Sequence, residues 1–456
     1  MQDVFGQTTT LSSGTALESW NKTQLAFLAH GAATPTHLGA TLEEAPDFAL
    51  AHAVKAMFYL LLGRKELIAT AEEARATALA SIAQQPVSTR EQHFIDALVT
   101  WMNGQPLAAL AHFEAILAEN PTDILALKLD HALRFVFGDA KGMRRMIEQV
   151  MPAYTPDHPG RGYLMGCYAF ALEETGEYAR AQRVGREGML ISPDDAWGLH
   201  AVAHVHDMTA DAAGGLKWLT GRESAWAHCN NFRYHVWWHK ALMHLDLGEV
   251  EIVLDLYDQQ IRADKTDDYR DISNATSLLS RLELDGVNVG DRWEELADFS
   301  ANRTEDGCLI FADLHYMLAL VGGQRDAAIT SMMGRLHKDA KESGTDFQKA
   351  MAKPGLAAAA GLEAFGEAEY DKAFINLSGA RQNMQGAGGS HAQRDVFERL
   401  TIDSGIRAGF LDEAEAILAQ RTAQRDGKID GYTEARQQLI ADGRKAAGFT
   451  AAVTAQ

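Results

Sequence analysis

The sequence predicts an all-α protein: an α-solenoid of antiparallel helix hairpins, stacked into an irregular superhelix able to close on itself. Three observations predict it. At 456 residues the chain is too long for one compact core, since single cores stop growing near about 250–300 residues, and a repeat array avoids that limit. Ala, Leu and Glu dominate, β-branched residues are sparse, and the ten prolines fall mostly between periodic segments, as long helices require. Finally, a Gly or short polar turn recurs before an Ala-containing helix along most of the chain.

The clearest unit is residues 162–195, GYLMGCYAFALEETGEYARAQRVGREGMLISPDD. Ala169 lies in its first helix, Gly176 at the turn, Tyr178 and Ala181 at the helix crossing, and Pro193 closes the hairpin. These are the positions and the period, about 34 residues, of a tetratricopeptide-type repeat, in which small residues let two helices approach closely. The pattern recurs at 93–123 with Gly104, Ala109, Phe113 and Pro121, and more weakly around 318–328, 361–374 and 404–418. Residues 1–14 are expected to be an N-terminal segment, 15–430 the repeat domain, and 431–456 a C-terminal helix or flexible tail. Three stretches depart from the pattern. Residues 264–276 read as too polar to pack between helices, 284–307 as turns around one short helix, and 385–395 as a Gly-rich break.

A formal net charge of −20 and no basic stripe interleaved with aromatics argue against nucleic-acid binding. No run of about 18 apolar residues and no leader-like start argue against a membrane role and for a cytoplasmic location. Cys167, Cys229 and Cys308 are odd in number and lie outside any CxxC, so they are expected to be reduced and partly buried.

Seven of the seventeen histidines and five of the eight tryptophans fall between Trp197 and His244, a density that singles this segment out. His200 and His204 are four apart and share a helix face, while His206 points elsewhere; His235 and His239 repeat the spacing 35 residues later. Both pairs are expected on the concave side, as catalytic imidazoles lining a pocket with Trp238. Asp207, Asp246, Asp271 and Arg281 are the candidate charged partners. The alternative is a packed inner face of His and Trp bonded to backbone and to each other. HExxH and Cys/His zinc spacings are absent, so neither metal nor cofactor is expected.

A second polar cluster is GGSHAQRDVFERL, residues 388–400. Ser390 is a candidate N-cap, and the glycines before it free N–H groups that suit an anion; His391, Arg394 and Asp395 follow as ligand-binding candidates. The plainer reading is a capped helix start with an Arg394/Asp395 pair. In DISNATSLLSRLELDG, residues 271–286, Arg281 needs a carboxylate or carbonyl partner if buried, and a structural ion pair is the plain reading.

HAVAHVHDM, HVWWHKALMHLDLGE, DISNATSLLSRLELDGVNVGDRW and GGSHAQRDVF, in this order, resemble the blocks of the tetratricopeptide repeat protein 38 family. The resemblance spans roughly residues 15–430. It implies the helical-repeat fold and picks out His200, His204, His235, His239, Arg281, Ser390, His391, Gln393, Arg394 and Asp395 as block positions. It implies no settled activity.

Two functions remain open. The first, favoured by the repeat type, is a scaffold binding a partner peptide or protein in its concave face. The second is a hydrolase or isomerase acting on a small anionic molecule in a histidine-lined pocket. Self-association into a homo-oligomer is compatible with either. On the second reading the histidine pairs and the 388–395 segment converge on one cavity.

Overall fold

Short turns between long helices set the architecture. The computed structural model describes the backbone of residues 1–454 and the side chains of residues 1–446. The chain is 75% helical, and among the described residues only two isolated β-bridges form, Gln2 with Thr8 and Gly31 with Cys229. From Gly14–Leu28 and Thr34–Glu44 onward, helices pair into successive hairpins, as the periodicity predicts.

Each hairpin pairs a buried inner helix with a more exposed outer one. Arg161–Glu173 buries every residue after its first, whereas its partner Tyr178–Ile191 buries only Ala181, Gly185 and Gly188. The two approach closely because the crossing carries no bulk. Ala169 and Ala181 are fully buried, and a Cβ on Gly185 would come within 2.5 Å of Val202 Cγ2. Gly176 turns the chain at φ +81°, in the left-handed region that a side chain disfavours. A Cβ on Gly166 would meet Asp195 Oδ2 at 1.9 Å and Gly198 Cα at 3.0 Å. Gly166→Val should therefore lose about 1–3 kcal/mol through overpacking. Urea unfolding checks this, and wild-type stability would deny so close a crossing.

The array folds back on itself. Arg303 pairs with Glu66 at 2.8 Å, Asp346 N donates to Gly104 O at 3.0 Å, and Arg425 reaches Asp207 at 3.1 Å. The Gly431–Thr454 helix takes part, with Tyr432, Thr433, Arg436 and Ile440 buried, and Arg436 reaching Asp403 at 3.0 Å. Cys167 and Cys229 are buried thiols and Cys308 is half-buried.

The reading of 264–276 is corrected. Tyr269–Leu284 is an inner helix, buried continuously from Asp271 to Leu282. Polar residues pack there because their hydroxyls bond back into their own helix: Ser273 to Tyr269 O at 2.6 Å, Thr276 to Ser273 O at 3.3 Å, Ser280 to Thr276 O at 2.8 Å. The 284–307 stretch does hold one short helix, Arg292–Ala301, between turns.

Candidate functional site

Four imidazoles meet in the interior. His200 and His204 come from the Ala196–Met208 helix, whose start Asp195 caps by accepting Gly198 N at 3.1 Å. His235 and His239 come from Phe232–Asp246. The i,i+4 spacing puts each pair on one face, and packing of adjacent inner helices sets the faces together. Nε2 of His204 lies 2.7 Å from that of His200, His235 Nε2 lies 3.2 Å from His200 Nε2, and His239 Nε2 lies 3.2 Å from His235 Nε2. His204 and His239 are fully buried, His200 and His235 nearly so. His206 points away, to Asp211 at 2.8 Å.

Burial, reinforced by neighbouring imidazoles, holds His200 and His239 well below the ordinary imidazole range. Burial likewise takes His235 to about 3, against the hydrogen bond that His235 Nδ1 donates to Asn274. These three are neutral rings at pH 7. A general base works best with a pKa near the operating pH, so they are poorly matched to proton transfer. Neutral imidazole is the form that binds metals.

The charged partners differ from those expected. Asp207 is engaged by Arg425 at 3.1 Å, Asp246 accepts Gly431 N at 3.0 Å, and Asp271 accepts from Asn231 at 2.7 Å. The carboxylate at the tetrad is instead Glu173, with Oε2 3.4 Å from His204 Nδ1. Burial opposes its ionisation, but His204 and His391 outweigh this and hold it below the ordinary carboxylate range.

The 388–395 segment divides between two cavities. His200 and His235 line one of about 180 Å³, together with His30, Lys128, Trp197, Phe232, Arg270, Gly389 and Gln393. None of its lining residues is exposed. Its volume is an order of magnitude above the ~10–15 Å³ that one water needs. His391, Arg394 and Asp395 face the other, of about 280 Å³, which Arg381, Arg421 and Arg425 also line. His204 and His239 sit behind His200 and His235 rather than in the first cavity. His391 approaches the tetrad through Glu173, at 3.9 Å.

Ser390 caps its helix with a full capping box to Gln393. The anion at this helix start comes from the chain itself: Glu174 Oε1 accepts His391 N at 2.6 Å, and Glu174 Oε2 meets Arg394 at 3.2 Å. The local Arg394/Asp395 pair is therefore replaced, and Asp395 binds Arg421 at 2.6 Å and Arg399 at 2.7 Å. Arg281 is buried and donates to Ala392 O at 2.7 Å and Ser277 O at 3.0 Å, with Asp395 at 3.9 Å. Carbonyls, more than a carboxylate, are its partners, and burial pushes it down to about 9. Trp238 is buried, stacks on His235 at 5.2 Å and donates to Ser277 at 3.0 Å.

Sequence reasoning missed Lys128, His131, Arg270 and Glu173. One signal for Lys128 was available: it is a lone lysine in the apolar stretch ILALKLDHALRFV, residues 124–136.

Stability should fall on acidification. Burial keeps His131 well below its ordinary pKa and takes His315 to about 4. With the folded pKa depressed, the unfolded chain takes up these protons first, so stability is intact above about pH 6.5 and lost as pH falls toward the folded value. Each ring should remove about 1 kcal/mol per pH unit in that window. His131→Phe, at a ring whose two nitrogens lack partners, should flatten the decline measured by urea unfolding between about pH 7.5 and pH 5.

No known protein-family model matches the chain. Among the described residues, no helix is long and apolar enough to cross a membrane.

Proposed function

We propose that the chain binds a small anionic molecule with an apolar or aromatic body in the 180 Å³ interior cavity. The observation that carries this is Lys128. It is 4% exposed, yet among the described residues its ammonium has one hydrogen-bond partner, Cys167 Sγ at 3.8 Å, and no carboxylate within ion-pair distance, Asp195 acting on it only through space. A buried charge is normally paired, because desolvating it alone is unfavourable by several kcal/mol. Trp197 covers it from 4.9 Å, a cation–π contact that supplies only part of the deficit. An anion in the cavity completes the pairing, and Phe135, Phe170, Trp197 and Phe232 give its body an apolar wall.

Arg270, also on the wall, is already held by Asp268 at 2.6 Å, whereas Lys128 has no carboxylate at ion-pair distance among the described residues. The buried inner helices favour a small occupant over a peptide lying in the concave face. The blocks that resemble the tetratricopeptide repeat protein 38 family supply His200, His235, Asn274, Gly389 and Gln393 of this wall, and membership in that family belongs to the same proposal.

A thermal-shift panel of small aromatic and aliphatic carboxylates and phosphates tests the reading. At about 100 Kd a binder stabilises by about 2.7 kcal/mol, and Lys128→Met should abolish the shift while remaining folded. Shifts of equal size in both proteins would overturn it.

A further inference from the structure

The histidine tetrad gathers imidazole lone pairs in an arrangement that suits an ion. Asn274 Oδ1, 2.8 Å from His235 Nδ1, takes the proton of that nitrogen and leaves His235 Nε2 with a bare lone pair. The Trp197 carbonyl, 3.4 Å from His200 Nδ1, does the same for His200. The two lone pairs then face each other across 3.2 Å. His204 and His239 bring their own Nε2 atoms to 2.7 Å and 3.2 Å of these two. Glu173 Oε2 stands 3.4 Å from His204 Nδ1 on the outer side.

Two rings therefore donate from their outer nitrogens to oxygen acceptors, His204 Nδ1 faces Glu173 without a hydrogen bond, and the inner nitrogens of all four converge. That is how proteins orient metal-binding imidazoles: the outer acceptor fixes the tautomer and raises the basicity of the inner nitrogen. We propose that His200, His204, His235 and His239 together bind one divalent first-row transition-metal ion, zinc fitting best.

The dimensions agree. Tetrahedral zinc with Zn–N of about 2.0–2.1 Å sets its ligand nitrogens about 3.3 Å apart. The observed contacts run from 2.7 to 3.2 Å along the chain of rings, and one nitrogen from each ring lies within 4.8 Å of those of the others. Modest opening of the closest pair suffices. The donor set is all imidazole, which suits zinc, copper, iron and nickel and disfavours calcium and magnesium. Glu173, 3.4 Å from His204, is the acidic group beside the proposed ion. A proton shared among the rings is the rival occupant of the same space. Either occupant leaves His239 Nδ1 buried and without a partner, so the metal titration separates the two.

The metal proposal does not rest on what the neighbouring cavity holds. A second cluster, His93, Asp96 and His112, is half-buried and offers three ligands, so it serves as the control for adventitious binding. The experiment strips the full chain with a chelator and titrates it with Co²⁺, read by visible absorption, and then with Zn²⁺. The expected result is one equivalent of Co²⁺ giving the intense bands of a tetrahedral nitrogen site, displaced by Zn²⁺, with a raised Tm in either metal. His239→Gln should remove the bands, His93→Gln should leave them, and Glu173→Gln should weaken affinity about 10–100-fold. Circular dichroism establishes that each variant is folded. If His239→Gln does not fold, Glu173→Gln and the wild-type spectrum still decide the matter. A stripped wild type that gives no tetrahedral Co²⁺ spectrum, or bands that survive His239→Gln and vanish in His93→Gln, would overturn the assignment.

Discussion

Arg421→Met is expected to destabilise the protein by about 3–5 kcal/mol, because it removes the cation shared by two buried carboxylates and leaves Asp395 to Arg399 and Asp430 to Arg425. Arg421 is 2% exposed and holds Asp395 at 2.6 Å, Asp430 at 2.7 Å and Thr433 at 3.1 Å. Burial alone would raise both aspartates, but Arg421 outweighs it and keeps them well below the ordinary carboxylate range. The pair joins His391–Ala408 and Leu411–Gln424 to the residue that precedes the Gly431–Thr454 helix. Urea unfolding with an unchanged m-value checks the effect; a loss below about 1 kcal/mol would mark the network as surface-like. Arg281→Met should be far milder, since its hydrogen bonds go to carbonyls and its desolvation is only partly repaid.

Phe170→Ala should remove about 3–5 kcal/mol, the transfer of a buried aromatic plus the void it leaves. Its ring is fully buried, packs edge-on to His131 at 5.9 Å and stacks on His200 at 5.7 Å. It also walls the interior cavity, so the void should join that cavity and admit a bulkier apolar occupant. Unfolding measured with and without benzene separates the two effects: benzene should stabilise the variant more than the wild type.

Much of this was legible in the sequence. Gly104 and Gly176 sit at left-handed turns as the repeat requires, with φ of +82° and +81°. The i,i+4 histidine pairs meet as helical spacing demands. What stayed hidden depends on which helices touch. The Tyr269–Leu284 helix reads as polar because hydroxyls that bond to their own backbone leave no trace in hydropathy. Glu173 reads as an ordinary acid before a turn, and only packing brings it to His204 and His391. HExxH and Cys/His zinc spacings are local signatures, whereas these four imidazoles come as two pairs from adjacent hairpins. The cap at Ser390 is legible in the sequence, but that Glu174 supplies the anion at this helix start is not.

The central claim is that Lys128 holds a small anion inside the repeat array. The most direct measurement equilibrates the chain with a total small-molecule extract, removes unbound material, denatures the protein and identifies what is released by mass spectrometry. One or a few anionic molecules should be enriched by the wild type and absent from folded Lys128→Met. Release of the same molecules from both proteins, or of none from either, would contradict it.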